Sequence, residues 1–158
     1  MSKPKGVMHA VTVTATEDAA GHLEFHPDSR VWDSEKRHFA FNKKDHHMRD
    51  DDYHIVEFLL DDRTANRLRF PPEPHEAMWV AKVDDPDHPK CPDASTVSDY
   101  EVIDPLCVCD DGRRLIVRND NPREEDWSFT LNFIKPGAEK AGQASWDPII
   151  KNGGNGKA

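Results

Sequence analysis

The densest concentration of groups able to hold a metal or move a proton is His46-His47-Met48-Arg49-Asp50-Asp51-Asp52-Tyr53-His54. Imidazole nitrogens and carboxylate oxygens are common ligands of zinc and other divalent first-row ions. If a strand begins near Asp52, the two-residue period puts Asp52 and His54 on one face, and the loop can fold back His46 or His47 as a third ligand. His46, Asp52 and His54 are therefore the candidate metal ligands. A plainer reading competes. His54 shares its face with Val56, Phe58 and Leu60, which suits a hydrogen-bonded histidine at the core's edge. Adjacent histidines rarely both reach one ion, and the spacing matches no standard motif. A solvated loop entering a strand is the expectation, with no metal site, catalytic residue or cofactor-binding residue assigned.

Cys107-Val108-Cys109 invites a second metal reading. Blue copper needs His and usually Met near the Cys, and neither occurs between Cys109 and Trp127. Zinc would want a second closely spaced pair, and Cys91 stands alone. Cys107 and Cys109 are thus expected to be buried structural thiols on one face of a strand. Three cysteines cannot form a fully paired framework, which points to reduced thiols and a cytoplasmic location. The acidic groups Asp50-Asp51-Asp52, Asp61-Asp62, Asp84-Asp85 with Asp87, and Asp110-Asp111-Gly112 miss the EF-hand spacing and read as turns. No Gly-x-Ser-x-Gly elbow, P-loop or dinucleotide fingerprint occurs, and no cofactor is expected.

The elements that must position these groups are strands. Val7, His9, Val11 and Val13 alternate with Met8, Ala10, Thr12 and Thr14 in a first strand, and Leu23 and Phe25 mark a second that Pro27 ends. Phe39 and Phe41 alternate in the next run, and Tyr53 to Leu60 is the clearest strand of the first half. Arg63 to Phe70, and Gly137 to Gln143, are the stretches with some helical propensity. Met78 to Val83 reads as a strand with Trp79, Ala81 and Val83 on one face. Asp104-Pro105 reads as a kink or bulge within one strand running to Cys109. Leu115 and Val117, then Trp127, Phe129, Leu131 and Phe133, read as two strands reversing at Asn119-Asp120-Asn121-Pro122 in a hairpin.

About seven or eight short strands predict an all-β, immunoglobulin-like Greek-key β-sandwich, with a small antiparallel β-barrel as the alternative. A single domain is expected over residues 1–150, with a flexible tail at 151–158. The net charge of −9, from 21 basic and 30 acidic residues, argues against nucleic acid and anionic membranes as partners. The first strand has neither proline nor charge to blunt an edge, so it is expected to be covered within the fold or to pair in a homodimer.

The segment Trp127 to Phe133, the ending Trp146-Asp147-Pro148-Ile149-Ile150-Lys151-Asn152 and the connector Pro71-Pro72-Glu73-Pro74 resemble the DP-EP family of uncharacterised bacterial β-sandwich proteins. That resemblance implies an immunoglobulin-like fold and no established activity. The expected function is a non-enzymatic binding or interaction module contacting another protein or its own copy. A small metal-binding protein or metal-dependent hydrolase using the His46 to His54 segment is the alternative.

Overall fold

The computed structural model describes residues 3–83, 92–94, 100–136 and 144–154. Its strands are β1 (Gly6–Glu17), β2 (Leu23–Asp28), β3 (Trp32–Asp33), β4 (His38–Phe41), β5 (Tyr53–Asp62), β6 (Met78–Lys82), β7 (Ile103–Cys109), β8 (Arg114–Asn119), β9 (Glu124–Phe133), β10 (Ala144–Trp146) and β11 (Ile149–Gly153). A 3-10 turn at Lys44–His46 precedes β5, and a short helix α1 (Pro74–Ala77) leads into β6. The chain is all-β. One sheet has the order β2-β1-β5-β8-β7, and the other β10-β9-β11-β4-β3 with β6 on the free side of β9. Both sheets are mixed, because β1 runs parallel to β5 and β11 parallel to β4. No ladder joins the two sheets among the described residues, so they form a sandwich and not a closed barrel. No helix of the described residues is long and apolar enough to cross a membrane.

Alternation builds the core. Val11 and Val13 of β1, Val56 and Phe58 of β5, and Leu115 and Val117 of β8 are buried on the inner face of the first sheet. They meet Phe39 of β4, Phe129 of β9 and Ile150 of β11. Phe58 bridges the layers, with its ring 6.0 Å from Phe39 and 5.9 Å from Phe129. Trp127, Phe129, Leu131 and Phe133 are all buried, as their spacing predicts. The polar face of β9 is buried too. Asn132 donates through Nδ2 to the Glu76 carbonyl at 2.9 Å, and Thr130 Oγ1 lies 2.8 Å from the Pro92 carbonyl, so the amide nitrogen and the hydroxyl find partners under α1 and a loop while Asn132 Oδ1 has none among the described residues.

Several expectations change. β8 and β9 are not a hairpin: β8 pairs with β5 and β7, whereas β9 lies in the other sheet, so the Asn119 to Pro122 turn carries the chain across the sandwich. In β6 the inward residues are Met78 and Val80, and Trp79 and Ala81 share the opposite face. Val80 sits opposite Phe129 and Met78 opposite Leu131, and directly opposed residues share a face. Arg63 to Phe70 forms no helix, because the Asp62 carboxylate accepts the N–H groups of Thr64 and Leu68 and holds a turn instead. Pro27 lies within β2, which is tolerated because β2 is an edge strand.

The bulge expected in β7 lies between Pro105 and Cys107. It leaves Leu106 and Cys107 exposed and Cys109 half-buried on an edge strand, so the thiols are free but not buried. β1 is covered by β5 along Gly6–Ala15 and by β2 along Thr12–Glu17, which removes the reason to pair it wholly with another copy. β11 extends through Gly153 with Asn152 buried, so the fold continues past the expected boundary at residue 150. The stretch Gly137 to Gln143, the acids at 84–87 and Cys91 lie outside the described residues.

Candidate functional site

Two of the buried side chains in the first sheet are imidazoles. The parallel register sets Val7 beside His54 and His9 beside Val56, so His9 and His54 fall on the same inner face as diagonal neighbours. His9 Nε2 lies 2.8 Å from His54 Nδ1, and His54 Nε2 lies 3.1 Å from Asn121 Nδ2. His46, at the end of the 3-10 turn, places its ring 4.7 Å from that of His9 and 5.9 Å from that of His54. Behind them, Asn119 and Asn152 exchange side-chain amide hydrogen bonds of 2.8 and 3.0 Å.

The backbone sets the direction of the proton chain. Asn121 Oδ1 accepts the Gly154 N–H at 2.7 Å, and Asn121 Nδ2 donates to the Phe41 carbonyl at 3.1 Å. The amide nitrogen is therefore the atom facing His54 Nε2, which must accept. A neutral imidazole has one donor and one acceptor nitrogen, so His54 carries its proton on Nδ1 and donates it to His9 Nε2. His9 in turn carries its proton on Nδ1. Burial, reinforced by the charges of His9, His46 and Lys43, pushes the His54 pKa down to about 3. Burial and then His46 push that of His9 down to about 4. Both rings are neutral at pH 7. Long-range 15N NMR of the imidazoles should find both in the Nδ1–H form, and an Nε2–H signal from either ring would break the chain.

Of the sequence candidates, the structure brings His46 and His54 together and leaves Asp52 out. The Asp52 carboxylate accepts the backbone N–H groups of Lys5 and Arg49, each at 2.8 Å, and these bonds, Arg49's first, hold its pKa below the usual range. It ties the loop to the N-terminal segment. The lone pair of His54 is taken by Asn121 and that of His9 by His54, leaving neither for an ion. Among the described residues no group of three His, Cys, Asp or Glu side chains is arranged to hold a metal. His9 and Asn121 are the members that sequence reasoning missed. A signal for His9 existed, since it and His54 each interrupt an otherwise apolar inward stripe.

Next to this cluster a groove of about 910 Å³ runs over the outer face of the second sheet, where His38, Ala40 and Lys151 form the floor. Lys151 Nζ lies 3.6 Å from Asp126 Oδ2. His38 is held below its ordinary pKa, chiefly by burial and then by Lys151, with Asp33 opposing. No protein-family model matches this chain, and no curated protein matches it.

Proposed function

We propose that this chain is a non-enzymatic binding module that holds a basic segment of another protein in the groove over β3, β4 and β11. The observation that carries the reading is the charge of the groove. Asp33, Glu35, Asp45, Glu124 and Asp126 line it against two permanent cations, Arg30 and Lys151. An extended segment bearing Lys or Arg complements that surface, and complementarity steers encounter as well as affinity. A second copy of a chain with net charge −9 would meet like charge there, which favours another protein over a homodimer. The neutral histidine pair, whose acceptor lone pairs are both engaged, supports binding over acid–base chemistry. In this reading the sandwich is of the immunoglobulin-like kind, the DP-EP likeness stands with it, and the free Cys107 and Cys109 thiols support a cytoplasmic location.

The test is a 1H–15N correlation titration with a Lys/Arg-rich peptide and with its Asp/Glu-substituted counterpart. The basic peptide should shift Ala40, Lys151 and Gly153 and the acidic one should not. Glu124→Lys, at an exposed position, should weaken the effect several-fold. Equal responses to both peptides, or shifts confined to other faces, would refute the reading.

A further inference from the structure

We infer that a second, smaller cavity beside the groove binds a small oxyanion, a phosphate or carboxylate group. This site shares Arg30 and His46 with the groove but is otherwise walled by β1 and Ser29, and it does not rest on the peptide reading. The cavity, about 330 Å³, is formed by residues 7–10 of β1 with Ser29, Arg30 and His46. That volume is near the lower end for ligand sites and suits one compact polar group.

Its chemistry is the reverse of the groove's. No carboxylate lines it, in a chain where acids outnumber bases 30 to 21. Among the described residues the Arg30 guanidinium makes no ion pair or hydrogen bond, so its donors are unspent beside the cavity. The Ser29 hydroxyl oxygen only accepts a long 3.4 Å bond from the Val31 N–H, leaving its own proton to donate.

The histidine chain supplies the decisive feature. Because Asn121 fixes His54 and His54 fixes His9, the ring nitrogen of His9 not engaged with His54 carries a proton. His9, which lines the cavity, therefore has an N–H left over from the chain and no free lone pair to offer a cation. Arginine's donor fork, a serine hydroxyl and an imidazole N–H together match the lone pairs of an oxyanion. The strand flank at the site is open as well, since β2 pairs with β1 only from Thr12 onward.

Inorganic phosphate and sodium acetate, each titrated separately at neutral pH with ionic strength held constant by chloride, test the site in 1H–15N spectra of the full chain. Saturable shifts are expected at Met8, Ala10 and Ser29 and on the His46 ring nitrogens. Saturation by phosphate alone assigns a phosphate group, by acetate alone a carboxylate, and by both a general oxyanion site. Arg30→Gln, at an exposed position, should keep the native spectrum and weaken binding by about tenfold or more. Ser29→Ala should weaken it less. Non-saturating shifts with both anions, or binding unchanged in Arg30→Gln, would overturn the inference.

Discussion

Phe129→Ala is expected to lower the free energy of unfolding by about 3–5 kcal/mol in urea melts. Phe129 is fully buried, and its ring lies 6.0 Å from Phe39, 5.9 Å from Phe58 and 6.3 Å from Trp146. Those neighbours come from β4, β5 and β10, so the ring touches both layers at once. Truncation removes the transfer free energy of the phenyl group and opens a void between two sheets whose backbones are held by their own ladders. Neither sheet can collapse into the gap without disturbing strand pairing, which is why the upper part of the range is expected. Trp79→Ala, one residue out of phase on the neighbouring strand and only half-buried, should cost clearly less. A Phe129→Ala loss under about 1 kcal/mol, or a larger loss at Trp79, would mean that β6 and β9 are paired one residue out of register.

The strands were legible because each inner face is apolar and each outer face mostly polar, a pattern written locally. Pairing is not local. The Asn119 to Pro122 signal fits a hairpin and a crossover equally well, and what decides is that Asn121 adopts a left-handed φ of 44° and places its side chain against Phe41 of the opposite sheet and Gly154 just past β11. Which face of β6 is buried is not written locally, because Met78 and Val80 form as good an apolar set as Trp79 and Ala81. Only the partner strand chooses between them. The site divides the same way. His46 and His54 are close in sequence and legible together, whereas His9 and Asn121 reach His54 across 45 and 67 residues. Their meeting depends on the parallel β1–β5 pairing and the sheet-to-sheet crossing, neither of which leaves a local trace. Asp52 has suitable ligand chemistry, but two backbone N–H groups claim its oxygens, and composition cannot reveal that.

Acidification from pH 7 toward pH 4 should destabilise the fold, and the histidine pair sets the window. His9 and His54 have folded pKa values near 4 and 3, below the ordinary 6.5. Between those values the unfolded chain binds protons that the folded chain refuses. Their contribution is therefore complete above about pH 6.5 and declines as pH falls. Among the described residues the nearby groups that bear on the pair are His46 and Lys43, both unfavourable to a further positive charge. The two sites are coupled, so their shifts do not add, and residual solvent at the His9 edge screens part of the cost. The expected loss is on the order of 2–3 kcal/mol. His38, also depressed, acts in the same direction. Asp18, Asp33 and Asp52 have folded pKa values below the usual 3.8, so their contributions are lost only at still lower pH. Relief of the net charge of −9 opposes the trend, so wild type must be compared with His9→Gln. The Gln carbonyl can still accept from His54 Nδ1, while one titrating ring and its repulsion of His54 are gone. Urea melts at pH 7 and pH 4.5 should show a steeper loss in wild type than in His9→Gln. Equal slopes would place the acid sensitivity elsewhere in the fold.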